Sequence, residues 1–250
     1  MEEITLKTKK ELKIMTECGK KLAKIKNELK KKVGEGVSAQ QVEKLANSLI
    51  EQSGGKASFK MVPRYRWATC VNVNEGLVHG IPRKTVIFKK GDVVSVDVGL
   101  YYQGFHTDTS LSVGISPKPA VKKFLEVGKN ALKKAIDKAK IGNRIYDITR
   151  AMEEEITNNG YSPIKALVGH GVGKNLHEEP QIPCFTFGKY EESPKIIPGM
   201  VLAIEVMYSA GSSDVVTNED GWTISMRDGK ISGLFEETVA ITNYGPLVLT

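Results

Sequence analysis

Two acidic residues lie at matching places in two similar stretches of the chain. Residues 91–98 read Gly-Asp-Val-Val-Ser-Val-Asp-Val and residues 199–206 read Gly-Met-Val-Leu-Ala-Ile-Glu-Val, so Asp97 aligns with Glu205. Both stretches follow a glycine turn and are rich in branched apolar residues, which predicts buried strands. An acid in such a strand is costly to bury unless a charge partner or a metal compensates it. A structural ion pair would explain one such acid, but two at equivalent positions indicate a duplicated site.

Three further residues extend this pair to a set that could bind metal. Asp108 stands at the start of the strand after Asp97, Glu236 lies in the corresponding strand of the second half, and His170 is flanked by glycines in 169–173. Four carboxylates and one imidazole suit a pair of Mn, Fe, Co or Zn ions. Each residue alone has an ordinary explanation: Asp108 could cap a turn, Glu236 could be a surface acid, and His170 could bond a backbone carbonyl. Together with the repeat, they favour two divalent cations at one shared site.

The other histidines divide into two groups. His79, followed by Gly-Ile-Pro, and His177, followed by Glu-Glu-Pro, are expected to lie, like His170, in turns flanked by glycine or proline, and are further site candidates. His106 is expected to be structural, with its side chain turned away from Asp108 along the strand.

The elements that must position these residues occur twice. In the first half, the patterns at 8–11 and 38–41 are capping boxes, each followed by apolar residues at helical spacing. The second helix is expected to end near Gly54. Strands are then expected at 69–74, 93–101 and 107–113.

The second half repeats this order. Pro119 opens a helix, a second helix carries apolar residues from 145 to 156, and strands are expected at 201–208, 222–225 and 234–242. The duplication also extends to the helices, because three positions of the first half recur in the second at one constant spacing: Gly36, Val42 and Gly54 match Gly142, Ile148 and Gly160.

Two helices followed by strands, given twice, predict an α+β fold. We expect pseudo-two-fold duplicated half-domains, roughly residues 1–115 and 116–250, with a central antiparallel sheet and outer helices on one side. No linker divides the halves, so residues 1–250 are expected to form a single domain.

The composition of the chain indicates the cellular compartment in which the protein works. No apolar run approaches the roughly 20 residues that cross a bilayer, and the acidic residues 1–5 do not resemble a secretory signal. The three cysteines Cys18, Cys70 and Cys184 are widely spaced, which is typical of reduced thiols and predicts a cytoplasmic protein. Nothing in the sequence requires more than a monomer.

The net charge of +7 raises the question of whether the protein binds a negatively charged partner. Much of the excess lies in 20–32 and 122–140, both helical in pattern. A solvated helix face is the favoured interpretation. The alternative is a surface that speeds association with a polyanion such as the ribosome.

The chemistry-bearing residues resemble those of a known family. Five candidate ligands and three short segments are similar in type, order and spacing to the motifs of type I methionine aminopeptidases, which are metallopeptidases of the pita-bread fold: Asp97, Asp108, His170, Glu205 and Glu236, with the segments 79–82, 169–173 and 177–180. The resemblance covers nearly the whole chain without large gaps. It implies a methionyl aminopeptidase, a hydrolase that removes the initiator Met from peptides and nascent chains. It also implies a preference for a small second residue and a nucleophilic water that bridges two metal ions.

The resemblance also implies a role for each ligand. Asp97 would bind one ion, and Asp108 and Glu236 would bridge the two. His170 and Glu205 would complete the other.

Further roles concern catalysis and substrate binding. Glu205 would act as general base, His177 would bond the scissile carbonyl, and His79 would contact the peptide nitrogen and the leaving group. The methionine side chain would be held by Tyr65, Cys70 and Trp222.

Two other functions stay open. A dipeptidase or Xaa-Pro peptidase could share the fold, although the His79–Pro82 turn and the single-domain length argue against it. A catalytically silent peptide- or ribosome-binding module is the second alternative, and the presence of all five ligands argues against that.

Overall fold

The computed structural model describes residues 4–250, so residues 1–3 of the acidic start lie outside the described part. It contains four helices: α1 (Lys9–Lys32), α2 (Ala39–Gln52), α3 (Pro119–Lys138) and α4 (Ile145–Asn158). Both predicted capping boxes are confirmed: Thr8 and Ser38 each accept a hydrogen bond from the backbone N–H three residues later, and that residue's side chain bonds the cap backbone in return. Pro119 is the first residue of α3, where its missing N–H has no cost.

The strands follow each pair of helices along the chain, five after α2 and eight after α4. They are β1 (Lys56–Ala57), β2 (Thr69–Val73), β3 (Gly76–Val78), β4 (Val93–Tyr102), β5 (Phe105–Gly114), β6 (Ser162–Pro163), β7 (Val168–Gly171), β8 (Glu178–Pro183), β9 (Val201–Ser209), β10 (Val215–Thr217), β11 (Ile224–Met226), β12 (Ser232–Thr242) and β13 (Gly245–Val248). Short 3₁₀ turns lie at Phe59–Met61 and Tyr190–Glu192. The predicted strand at 222–225 begins two residues later than expected, because the backbone N–H groups of Trp222 and Thr223 donate to the carboxylate of Asp220.

One antiparallel sheet runs through both halves of the chain. Its main path is β1-β4-β5-β12-β9-β7-β8, with β2 paired to β4, β6 to β9 and β13 to β12. The strands β10, β11 and β3 form a small second sheet. In the centre, β4-β5 of the first half meets β12-β9 of the second, so that a pseudo-two-fold relates the duplicated halves, as predicted.

The helices all cover the same face of the sheet. Helices α1 and α2 share a buried cluster with Val94, Val96 and Val98 of β4, and α3 and α4 share one with Leu202 and Ile204 of β9. Successive side chains of a strand point to opposite faces. The intervening acids therefore point to the face that the helices leave open.

Two features bear on the earlier expectations. The glycine-flanked His170 lies in strand β7 and not in a turn. Its glycine neighbours have no side chains, which allows β7 to pack closely against β8 and β9. None of the helices within residues 4–250 combines the length and the apolar character that a membrane span requires.

Candidate metal centre and substrate cavity

Three acids lie in one row across four neighbouring strands. Asp97 of β4 pairs with Ser110 of β5, Ser110 pairs with Glu236 of β12, and Glu236 pairs with Glu205 of β9. Directly opposite residues of antiparallel strands have Cβ atoms about 5 Å apart. The register therefore brings carboxylates from both halves of the chain together on the open face.

Asp108 and His170 lie beside this row. Asp108 is two residues from Ser110 and shares its face, while His170 pairs with Ala203, two residues before Glu205. One ligand atom from each of Asp108, His170 and Glu236 lies within 4.8 Å of the other two. His170 Nε2 is 3.7 Å from Glu205 Oε1.

Backbone contacts fix the orientation of the His170 ring. Its Nδ1 lies 2.8 Å from the carbonyl oxygen of Gly171, so Nδ1 carries the proton that it donates. This leaves the lone pair of Nε2 directed at the acids. Metal-binding histidines commonly donate their other N–H to a carbonyl in this way. His170 can therefore bond a backbone carbonyl through Nδ1 and face the acids with Nε2 at the same time.

Burial raises the pKa of every acid in the group. The pKa of Asp108 rises from 3.8 to about 7. Burial, together with repulsion from neighbouring carboxylates, raises the pKa values of Asp97, Glu205 and Glu236 well above their ordinary range. Burial also lowers the pKa of His170 to about 3, with a further contribution from His177. The imidazole is therefore neutral at pH 7, as a metal ligand must be.

The donor set fits divalent cations. Within residues 4–250, neither Asp97 Oδ1 nor Glu236 Oε1 has a hydrogen-bond partner, although both are buried. Buried charged oxygens without partners are strongly destabilised unless a cation compensates them. Carboxylate and imidazole ligands suit Mn, Fe, Co or Zn.

The four acids and His170 form the floor of a cavity of about 480 Å³. All ten residues singled out in the sequence line it: Tyr65, Cys70, His79, Asp97, Asp108, His170, His177, Glu205, Trp222 and Glu236. Residues far apart in the sequence therefore share one concave site.

One wall of the cavity is apolar and aromatic. Phe59, Tyr65, Cys70 and Leu176 form a buried cluster against which Trp222 packs. The Tyr65 and Trp222 rings meet edge to face with centroids 5.0 Å apart. The Tyr65 hydroxyl donates to the Thr69 carbonyl at 3.0 Å and lies 3.2 Å from Cys70 Sγ, which holds this wall in place.

Two histidines face the cavity from loops. His79 has a left-handed backbone conformation, with φ of 58°, and the ring centroid of His177 is 4.5 Å from that of His170. Burial lowers the pKa of both His79 and His177. Neutral imidazoles can each donate one hydrogen bond and accept another.

The expected orientation of His106 is wrong. His106 and Asp108 are two residues apart in the regular strand β5, so both side chains point to the open face. His106 is buried, and its Nδ1 lies 2.9 Å from Ser58 Oγ. This contact is consistent with a structural role, and His106 does not line the cavity.

Some residues that line the cavity were not singled out as site residues. Glu178, Glu179 and Gln181 of β8 and Met207 of β9 contribute to its walls. The two glutamates stand in the segment 177–180, so their sequence neighbours could have indicated them. Met207 follows Glu205 by two residues, and alternation along the strand would have placed both on one face.

The fold and the site define a metallopeptidase. Residues 13–243 match the model of metallopeptidase family M24, and the chain belongs to that family. Membership implies the use of divalent metal.

Named relatives indicate a narrower class. The chain is 42% identical over 248 residues to "Methionine aminopeptidase 1" of Bacillus subtilis (strain 168), covering 99% of both proteins. It is similar in structure to a methionine aminopeptidase of Thermotoga maritima, with a TM-score of 0.96, 39% identity and 99% coverage of both chains. A prolidase of Pyrococcus furiosus has a TM-score of 0.77 and 22% identity, covering 98% of this chain and 65% of that one. At that identity the prolidase shares the fold alone.

Proposed function

We propose that this protein is a methionine aminopeptidase that removes the N-terminal initiator Met from peptides and nascent chains, preferably before a small second residue. The observation that carries the proposal is the single cavity in which the acids and imidazole of the floor adjoin a closed apolar wall. The full-length likeness to proteins named methionine aminopeptidase supports it.

The metal ligands we propose are the five residues of the floor. Asp97, Asp108, His170, Glu205 and Glu236 would together hold the divalent ions. Mn, Fe, Co and Zn are all compatible with this set. Such ions polarise a carbonyl group and lower the pKa of water from about 15.7 toward about 7.

Three residues of the cavity would handle protons and hydrogen bonds. Glu205 would accept a proton from the attacking water and pass it to the leaving amine. His177 would donate a hydrogen bond to the scissile carbonyl oxygen. His79 would contact the peptide nitrogen and the leaving group.

The apolar wall would select the side chain of the first residue. Tyr65, Cys70 and Trp222 offer aromatic and sulfur surface, and thioethers contact aromatic rings favourably. The metal centre would offer a binding place for the free α-amino group of the substrate. This combination explains cleavage at the N-terminus of a chain.

The surface charge and the three thiols bear on the partner and the cellular location of the protein. Lys30 of α1 and Lys129 of α3 line a groove on the helical face, away from the site. We propose that this face is a docking surface for the ribosome. We also propose that the protein works as a monomer in the cytoplasm, where its three thiols stay reduced. Co-sedimentation with ribosomes that weakens with salt would support the docking, and salt-independent or absent binding would contradict it.

A peptide panel tests the activity itself. Metal-reconstituted protein should release free Met from Met-Ala-Ser and should cleave Leu-Ala-Ser and Ala-Pro-Ser far more slowly. Preference for the proline peptide would indicate an Xaa-Pro peptidase. Absence of cleavage with every metal would indicate a silent binding module.

A further inference from the structure

A buried ion pair ties the segment before α1 to the wall of the cavity. Lys7 Nζ lies 2.6 Å from Glu178 Oε2, and the two side chains are only 2% and 6% exposed. Lys7 also bonds the carbonyl of Thr5 through its ammonium group and that of Gly199 through its backbone N–H. Lysine is seldom buried so fully unless it is paired. The pair joins residues 171 positions apart in the chain.

The same carboxylate closes the loop that carries His177. Glu178 Oε1 accepts a hydrogen bond from the Asn175 N–H at 3.1 Å. Glu178 itself pairs with Gly171 across β7 and β8. The loop 172–177 is thus held at its end by a side chain that Lys7 holds in turn. His177 immediately precedes this anchor and faces the cavity.

Gly173 provides the space for the pair. A Cβ atom at Gly173 would lie 2.5 Å from Lys7 Cε and 2.7 Å from Glu178 Oε1. Its backbone conformation does not require glycine, since its φ is not in the left-handed region. The last glycine of the segment 169–173 is therefore explained by the ion pair beneath the loop.

We infer that Lys7 and Glu178 are positioning residues that fix His177 over the cavity. The inference rests on the proposed aminopeptidase function and on the role proposed there for His177. A misplacement of about 1 Å in a catalytic group can lower the rate about 100-fold. If His177 acts mainly in the transition state, its displacement lowers kcat more than it raises KM.

The test uses Lys7→Met, Glu178→Gln and the double variant. Glu178→Gln preserves volume and an acceptor for the Asn175 N–H, so it keeps the test open if Lys7→Met does not fold. Lys26→Met is the control, because Lys26 also forms a 2.6 Å ion pair, with Glu237, but on the helical face of the sheet. Each single variant should lower kcat on Met-Ala-Ser by about 10- to 100-fold. The double variant should be no worse than the singles, because the two residues act as one unit.

A second measurement separates positioning from general stability. In metal-free protein, the imidazole proton resonances of His177 should shift in Lys7→Met and Glu178→Gln, while those of His79 stay in place and Lys26→Met changes neither. Unchanged His177 resonances would overturn the inference, whether or not kcat falls. So would a kcat per folded molecule equal to that of the wild type. If the wild type does not cleave Met-Ala-Ser, the proposed function fails, whereas the resonances still report the position of His177.

Discussion

Glu236 and Glu237 are adjacent on β12 but lie in different surroundings. Glu236 is 3% exposed and lines the cavity floor. Glu237 points to the helical face, where its carboxylate pairs with Lys26 at 2.6 Å and accepts a hydrogen bond from Thr250. Strand alternation thus separates two chemically identical residues into a candidate metal ligand and a structural acid.

We expect Glu236→Gln to abolish metal-dependent peptide cleavage and Glu237→Gln to preserve it. Loss of a residue that merely orients a ligand lowers metal affinity or activity about 10- to 100-fold, so loss of a ligand should exceed about 100-fold. Steady-state cleavage of Met-Ala-Ser at saturating metal measures the difference. Equal activity of the two variants would remove Glu236 from the metal site.

At this scale the sequence was informative about chemistry and less so about orientation. Asp97 and Glu205 were identified because the duplication repeats an acid within an apolar strand. His106 was assigned to the wrong face, although strand alternation places it beside Asp108. The partner of Glu178 could not be found, because a lysine in the segment before the first helix carries no signal of a contact 171 residues away.

At the scale of elements, Glu43 of α2 holds the strand that carries one wall of the cavity. Glu43 is 7% exposed. Its carboxylate accepts hydrogen bonds from the Ala68 N–H, the Thr69 N–H and the Thr69 hydroxyl at 2.9, 3.0 and 2.7 Å. Thr69 opens β2, and the next residue, Cys70, pairs with Asp97 of β4. A helix side chain therefore sets the start of the strand that bears the apolar wall.

Glu43→Gln should loosen this wall without touching the floor. Hydrogen bonds to a charged group contribute about 1.5–3 kcal/mol each, so we expect a loss of about 1–3 kcal/mol in the free energy of unfolding. KM for Met peptides should rise more than kcat falls. Urea unfolding and steady-state kinetics measure both, with the exposed Glu51→Gln on the same helix as control. A variant as stable as this control, with an unchanged KM, would show that Glu43 does not set the wall.

The helices and the long central strands were predictable from the sequence, the short outer strands mostly were not, and the arrangement of the elements was only partly predictable. Capping boxes and apolar spacing located all four helices, because these signals are local. Strands β7 and β8 were missed, because their glycines and prolines disfavour strand assignment and only pairing with β9 and β7 stabilises them. The order β4-β5-β12-β9 could not be derived from local pattern, since it depends on contacts between the halves.

At the scale of the whole molecule, the sheet joins the two halves through a buried cluster of acids. The raised pKa of Asp108, about 7, means that the metal-free folded protein retains a proton that the unfolded chain releases near pH 3.8. Its contribution to stability is therefore full below pH 3.8 and is lost as pH rises through about 7. The lowered pKa values of the histidines have the opposite effect: they make the stability of the folded protein rise with pH. This effect ends at about pH 6.5, the ordinary pKa of histidine.

Chelated protein should accordingly become less stable from about pH 7 to pH 8. Added Mn²⁺ should raise the melting temperature, and more so at pH 8 than at pH 6, because metal binding requires deprotonated ligands. Thermal unfolding across this range with chelator and with Mn²⁺ gives the comparison. If the chelated protein became more stable from pH 7 to pH 8, the account of the acids would be wrong.

The central claim is that carboxylates from both duplicated halves share one cation site with His170. Anomalous X-ray diffraction at the manganese edge, from crystals grown with Mn²⁺, tests it most directly. We predict anomalous density at this site, such that the carboxylates of Asp97, Asp108, Glu205 and Glu236 and Nε2 of His170 each lie within about 2.5 Å of a manganese peak. Density only at other acids, or none at this site at saturating Mn²⁺, would contradict the claim.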